Sequence, residues 1–227
     1  MEHNIKHIAV IMDGNRTWAT EKGLPKFLGH TEGVQALKRA LKGVIEQNIP
    51  YFTAWALSTE NLQRSQEELD HLFSLFKKIP SSLGDFSKNN VRFNTIGNLA
   101  LIPSDVKEAL EDLMKKTEHH TGLVFTLAIA YGGRDEIIRS VQKIIKSGIS
   151  SEEINEQKFE NFLDTANMPE VDLVIRTGGY QRLSGYLPWQ STYAELYFTS
   201  LKFPDFNEKE LDKAIQWFNE QERKRGK

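Results

Sequence analysis

The chain has 227 residues, a formal net charge of −2 and no cysteine. Its length suits one α/β domain with a core of its own. The lack of cysteine excludes disulfide scaffolds, thiolate metal sites and thiol nucleophiles. The near-neutral charge gives no global field for nucleic acid, so no nucleic-acid partner is expected and any anion binding must come from local clusters.

The first apolar run ends in Asp13 with no cleavage pattern behind it, and no segment reaches the roughly 18 apolar residues of a membrane span. A cytoplasmic protein is expected. The first predicted strand, residues 7–12, leads into Asp13-Gly14-Asn15-Arg16, and Val34, Leu37, Leu41 and Ile45 then share a helix face. The second strand, 51–57, runs into Ser58-Thr59-Glu60-Asn61, with Arg64 beyond. Ser65 with Glu68 has capping-box spacing and opens a predicted helix over 65–86, with Leu69, Leu72, Phe73, Phe76, Leu83 and Phe86 as its apolar residues. The third strand is 91–96. The fourth, 123–130, is followed by Tyr131-Gly132-Gly133-Arg134 and a helix marked by Ile137, Ile138, Val141, Ile144 and Ile145. Ser150 with Glu153 repeats the capping spacing. The fifth strand, 171–175, leads to Arg176-Thr177-Gly178-Gly179, then Arg182 and Ser184, and the sixth, 195–199, opens on Glu195. Asn207 with Glu210 starts the last helix, on which Leu211, Ala214, Ile215 and Phe218 share a face, and the tail 222–227 is expected to fray. This alternation predicts one α/β domain, 1–227, with a mostly parallel six-stranded sheet flanked by helices.

In open α/β sheets, ligands bind beyond the carboxyl ends of the strands. Four of those ends carry glycine, asparagine, hydroxyl groups and arginine. Glycines let backbone N–H groups approach phosphate oxygens, helix N-termini add positive partial charge, and arginine offers a planar fork. Asp13 among phosphates makes sense with a hard cation such as Mg²⁺ between them; Glu195 is a candidate second oxygen ligand. Taken singly, each piece has a simpler reading: Asp-Gly-Asn as a turn, paired glycines as strand ends, Arg182 as a surface residue, His30 as a structural histidine, the 69–79 stripe as packed core. Their joint placement at one sheet edge favours the anion site. No P-loop, no GxGxxG after the first strand, no HExxH, no GxSxG and no paired zinc spacing is present.

The motifs HIAVIMDGNRTWA, FLGHTEG, ALSTENLQRS, IAYGGRDEI, VDLVIRTGGYQRLSGYLPWQSTYAELYF and FPDF together resemble the bacterial undecaprenyl diphosphate synthase family, in that family's order from His7 to Phe206. The resemblance implies a homodimer of α/β subunits, each with a hydrophobic tunnel walled by helices, for which the 65–86 helix is the candidate wall. It implies Mg²⁺-dependent cis-prenyl chain elongation: isopentenyl diphosphate units are condensed onto an allylic starter, farnesyl diphosphate, to give a long polyprenyl diphosphate of the cell-wall lipid-carrier type. Transient membrane contact for product release goes with such a product. By the same resemblance, Asp13 is the catalytic, magnesium-associated carboxylate and Glu195 the second acidic position near the metal. Gly14, Asn15, Arg16, Trp18, Lys26 and His30 fall at the allylic diphosphate. Ser58, Thr59, Glu60, Asn61, Leu62 and Arg64 form the segment that closes over the substrates, Asn61 being placed to assist proton loss. Arg176, Arg182 and Ser184 match the isopentenyl diphosphate site. The chain departs from the family pattern at Thr17, where a basic residue is usual, at Leu62 for an aromatic, at Tyr180 for an acid, and at Pro188 within an apolar pair. Two other readings stand beside this one: a non-catalytic partner subunit that binds prenyl diphosphates, and a magnesium-dependent prenyl diphosphate phosphatase.

Overall fold

The computed structural model describes residues 4–82 and 86–222, apart from the side chain of Ser82. The six apolar runs become β1 (His7–Ile11), β2 (Tyr51–Trp55), β3 (Arg92–Ile96), β4 (Val124–Ala128), β5 (Leu173–Arg176) and β6 (Glu195–Phe198). They form one sheet in the order β3-β4-β2-β1-β5-β6, and every pairing is parallel. Every residue of β1 and β5 is buried, as expected of central strands covered on both faces.

The helices are α1 (Asn15–Glu21), α2 (Lys26–Glu46), α3 (Gln66–Lys77), α4 (Ile79–Ser82), α5 (Ser104–Thr117), α6 (Gly133–Ser147), α7 (Glu156–Glu160) and α8 (Glu208–Asn219). Of these, α1, α5 and α7 are additional to those the spacing predicts. None is long and apolar enough to cross a membrane among the described residues. The core joins Leu37, Leu41 and Val44 of α2 with Leu69, Leu72, Phe73 and Phe76 of α3, Leu211 and Phe218 of α8, and a strand cluster of Phe52, Phe93 and Phe125.

Two helical expectations are corrected. The segment predicted as one helix over 65–86 is α3 and then the short α4, and Phe86 lies in a turn beyond. Pro80 lacks the N–H that a continuing helix would need and its ring crowds the carbonyl four residues back, so α3 ends at Lys77. Leu83 lies outside the described residues, as does the tail after 222. On α6, the apolar stripe does not face the core: Ile138, Val141 and Ile145 are exposed, and the buried face is Gly133, Glu136, Ser140 and Ile144. That inner face is polar but satisfied. Glu136 accepts from Tyr131 Oη at 2.7 Å, from Gln190 Nε2 at 3.0 Å and from the Asp164 N–H at 2.9 Å; burial raises its pKa.

β1 and β5 are neighbours, and the connection from β1 runs to β2 on one side while that from β5 runs to β6 on the other. This switch point is where an open parallel sheet leaves a crevice at its carboxyl edge.

Candidate active site

Asp13 follows β1 and Thr177 follows β5, side by side at that switch point. The buried Thr177 hydroxyl donates to the Asp13 carbonyl at 2.7 Å and accepts from the Asp13 N–H at 3.0 Å. Gly178 follows at φ +85, and a Cβ there would sit 3.2 Å from Asp13 Cβ, so the backbone approach requires glycine. Asp13 Oδ1 accepts from the Gly14 N–H at 2.8 Å, and Oδ2 accepts from Arg176 Nη2 at 2.9 Å. Arg176, only 4% exposed, uses Nη1 on Ser184 Oγ at 2.9 Å and on the Arg182 carbonyl. Its Nε is buried without a partner. A guanidinium with an uncommitted buried donor, beside a hydroxyl and a second arginine, is suited to an incoming anion.

A second cationic cluster forms where α1, α2 and the start of α3 meet. A Cβ on Gly29 would lie 2.0 Å from the Asn15 carbonyl oxygen, and one on Gly33 would lie 2.7 Å from Asn15 Oδ1. These two glycines let α2 touch the loop after β1. Asn15 Nδ2 donates to the Met12 carbonyl at 3.0 Å, while Oδ1 is buried and unpaired. Glu68, on the first turn of α3, gathers His30 Nε2 at 3.0 Å, Arg64 Nη1 at 2.9 Å and Arg16 Nε at 3.8 Å onto one carboxylate oxygen. Burial pulls the His30 pKa down against the Glu68 hydrogen bond. For Glu68 burial works against ionisation, yet the His30 bond and the Arg64 and Arg16 charges hold its carboxyl below the ordinary range.

The segment after β2 closes the third side. The Asn61 N–H donates to Ser58 Oγ at 3.1 Å, and Asn61 Oδ1 faces the Ser58 N–H at 3.4 Å. The parallel bridge Ser58–Tyr131 carries the β2–β4 pairing past the strand ends and fixes this turn.

Three cavities share these walls. A polar one is lined by Asp13, Asn15, Ser58, Asn61, Arg64 and Arg176, together with His30, Glu60 and Ser184. Beside it, Gly14, Arg16, Lys26 and Tyr180 line another with Asp13, Asn15, His30 and Arg64. A narrow apolar cavity is lined by Asn15 and His30, by Val34 and Leu37 of α2 and by Leu72, Leu75 and Phe76 of α3. Anion-binding groups thus stand at the mouth of a greasy slot.

Five expected site residues lie apart from these linings: Arg182, whose carbonyl accepts from Arg176 and whose guanidinium lies over the Tyr180 ring, and the four that follow. Trp18 donates through Nε1 to Asp205 at 2.8 Å under a Lys22 ammonium. Thr59 bonds the Tyr131 carbonyl through its N–H at 3.3 Å, and Leu62 packs on the core. Glu195 needs correction: it pairs in register with Leu173, at the amino end of β5, whereas Asp13 lies beyond the carboxyl end of β1. Strands rise about 3.3 Å per residue, so one protomer does not bring these carboxylates onto a common cation. Conversely, Glu68 and Thr177 belong to the site without having been singled out. Glu68 matched a capping box, but Ser65 makes no side-chain cap and the carboxylate turns to the cations instead. Thr177 was visible only as a hydroxyl between Arg176 and two glycines.

Among the described residues no group of three or more histidine, aspartate or glutamate side chains is arranged to cage a metal. Asp13, with one protein N–H and one guanidinium N–H on its oxygens, retains lone pairs for one hard cation. That donor set fits an ion shared with substrate phosphates, the common mode for magnesium.

A parallel α/β sheet with paired anion-binding clusters over an apolar slot defines the class, and comparison with known proteins narrows it. The sequence profile of the family described as "Putative undecaprenyl diphosphate synthase" matches residues 11–226. An isoprenyl transferase of Treponema denticola is 42% identical, with 100% of this chain and 99% of that protein covered. The Micrococcus luteus ditrans,polycis-undecaprenyl-diphosphate synthase, (2E,6E)-farnesyl-diphosphate specific, is 42% identical over 97% of this chain and 91% of its own. Among solved structures, lavandulyl diphosphate synthase from Lavandula x intermedia, in complex with dimethylallyl diphosphate, superposes at TM-score 0.94 with 32% identity over 98% of both chains. A "probable undecaprenyl diphosphate synthase" from Campylobacter jejuni superposes at 0.83 with 36% identity over 100% of both. The chain belongs to the undecaprenyl diphosphate synthase family of prenyltransferases.

Proposed function

We propose that the chain, as one domain over 1–227, is a magnesium-dependent cis-prenyltransferase that adds isopentenyl diphosphate units to farnesyl diphosphate and builds a long-chain polyprenyl diphosphate. The observation that carries this reading is the Asp13–Arg176 pair, set between two cationic clusters at the mouth of the apolar cavity. The farnesyl specificity printed for the Micrococcus luteus relative and the dimethylallyl diphosphate in the Lavandula structure support the substrate class.

In this reading Asn15, Arg16, Lys26, His30 and Arg64, with the Gly14 backbone, hold the allylic diphosphate, and the prenyl chain enters the slot between α2 and α3. Arg176, Arg182 and Ser184 hold the second diphosphate. The isopentenyl double bond attacks C1 of the allylic partner as the C1–O bond breaks. The C2 proton then passes to the released diphosphate, with Asn61 oriented by Ser58 to assist, and a cis double bond remains. Magnesium bound through Asp13 and substrate oxygens would supply neutralising charge for the departing diphosphate. The arginines, fixed by their hydrogen bonds before substrate arrives, stabilise the same charge with little reorganisation, and holding both substrates in one crevice contributes orientation. The exposed stripe Ile138, Val141 and Ile145 is the face we assign to a homodimer partner. Cytoplasmic residence with transient membrane contact for product release belongs to the same reading.

The test combines purified protein with farnesyl diphosphate, labelled isopentenyl diphosphate and Mg²⁺, with and without EDTA, and sizes the extracted lipid. A long polyprenyl product that disappears with EDTA is expected. Folded protein that binds farnesyl diphosphate yet yields no product would establish the non-catalytic partner subunit instead.

A further inference from the structure

Besides Asp13 and Glu60, which line the polar cavity, the site holds a third carboxylate whose charge opposes a diphosphate, Glu68. Its Oε1 lies 2.9 Å from Arg64 Nη1, 3.0 Å from His30 Nε2 and 3.8 Å from Arg16 Nε. These three groups come from the turn before α3, from α2 and from α1, and all line the cavities at the head of the apolar slot. A diphosphate seated on Arg16 and Arg64 would meet a largely buried carboxylate already hydrogen-bonded to Arg64 and ion-paired with Arg16. The two anions repel each other and compete for the same N–H donors. Glu68 is also one of the polar ties between α3 and α2. The other is Thr31 Oγ1 to His71 Nε2 at 3.1 Å, beside the Phe27–His71 ring contact at 5.2 Å. The apolar slot runs between these two helices, with His30 at its mouth.

We propose that Glu68 is an internal stand-in for the allylic diphosphate: in the empty enzyme it occupies the His30 and Arg64 donors, neutralises the nearby Arg16 charge and pins the first turn of α3 to α2, and the arriving head group displaces it and frees that turn. Occupancy of the head-group site is thereby coupled to the width of the slot that must take the prenyl tail. A substrate's own head group thereby releases the helix turn beside the site its tail must enter. This inference rests on the cluster being the head-group site proposed above.

The sign of one measurement separates this role from a supporting one. A residue that merely positions the arginines helps an anion bind, and its loss weakens binding; a competitor does the reverse. Titration calorimetry with inorganic pyrophosphate on wild type, Glu68→Gln and Glu68→Ala is expected to show binding on the order of tenfold tighter in both variants. Weaker or unchanged binding in the variants overturns the proposal. Hydrogen exchange of the α3 amides from Leu69 to Phe76 supplies the second readout. Saturating pyrophosphate is expected to speed exchange in wild type, and to add little in Glu68→Gln, where the turn is already released. Exchange in wild type that pyrophosphate leaves unchanged also overturns it. If wild type binds neither pyrophosphate nor farnesyl diphosphate, the diphosphate reading of the cluster fails first, and this inference with it.

Discussion

Arg176 reaches across the β1–β5 pairing to Asp13, guanidinium Nη2 to carboxylate Oδ2 at 2.9 Å, while its other terminal nitrogen serves Ser184. One buried arginine therefore connects the proposed metal-associated carboxylate to the proposed isopentenyl diphosphate site. Asp13→Ala removes the carboxylate but leaves Arg176 its Ser184 and Arg182 partners, so the fold is expected to survive. Turnover is expected to fall about 10²–10³-fold, the loss typical of removing a preorganised charge-stabilising group. Single-turnover rates with circular dichroism on the same sample check both halves, and normal turnover would remove Asp13 from the chemistry.

Arg176→Lys keeps the charge and loses the fork. A lysine ammonium cannot serve Asp13, Ser184 and the Arg182 carbonyl from two fixed nitrogens and still present a third donor. The KM for isopentenyl diphosphate is expected to rise at least about tenfold, the equivalent of one charged hydrogen bond, with the KM for farnesyl diphosphate changing much less. Arg176→Ala should move the same constant further. Steady-state kinetics with each substrate varied decides; an unchanged isopentenyl diphosphate KM would place that site elsewhere.

His7 sets a pH dependence away from the chemistry. Its ring is buried between the Pro169 carbonyl at 2.9 Å and the Thr53 hydroxyl at 2.8 Å. Burial lowers its pKa from 6.5 to about 4, against the opposing pull of the Pro169 carbonyl and Asp172. Between those values the unfolded chain binds a proton that the folded chain refuses. Stability is therefore full above about pH 6.5 and declines as pH falls toward 4, by about 3 kcal/mol from this residue. His30, also lowered by burial, acts in the same direction. Urea unfolding of wild type and His7→Gln at pH 7 and pH 4.5 is expected to show a smaller drop in the variant, and parallel drops would remove His7 as the source.

The strands were legible because fully covered parallel strands read as unbroken apolar runs, and β1 and β5 are buried at every residue. Their order was not, since the lateral position of β5 beside β1 leaves no local trace. Asp13, Arg176, Asn61 and Arg64 could be located from the rule that strand carboxyl ends carry ligands. Glu195 opens β6 and lies at the amino edge of the sheet, away from Asp13 within one protomer; only the family resemblance, not its place in the strand, set it near the metal. Glu68 was hidden by a capping spacing that is common for purely local reasons, and the α6 stripe by the assumption that an apolar helix face turns inward. In each case the deciding quantity is a long-range neighbour: Leu173 beside Glu195, His30 beside Glu68, Gln190 and Asp164 beside Glu136.

Gly29 tests how tightly α2 must approach the loop after β1. An added Cβ would lie 2.0 Å from the Asn15 carbonyl oxygen, and the obstacle is backbone, which cannot swing aside. Gly29→Ala is expected to cost about 1–3 kcal/mol, as overpacking does, despite alanine's better helix propensity. It should also displace Asn15 and raise the KM for farnesyl diphosphate. A melting temperature at or above wild type would show that the helices separate without strain.

Tyr180 stands where the family pattern has an acid, and its ring supplies what the lost charge does not. Arg182 lies with Cζ 4.4 Å from the ring centroid and Arg176 with Cζ at 5.6 Å, so the ring is near both arginines of the proposed isopentenyl diphosphate site. The ring is half-exposed and also lines the cavity that holds Arg16 and Lys26. It therefore forms a wall between the two head-group positions. A cation–π contact at such a site contributes about 0.5–2 kcal/mol. Tyr180→Ala is expected to raise the KM for isopentenyl diphosphate roughly threefold to tenfold with kcat nearly unchanged, because the ring holds the arginines and touches no reacting atom. Tyr180→Phe keeps the face and loses only the hydroxyl, so it should stay close to wild type. If Tyr180→Phe instead matched Tyr180→Ala, the hydroxyl and not the ring would be the contributing group, and the cation–π account of this position would be wrong.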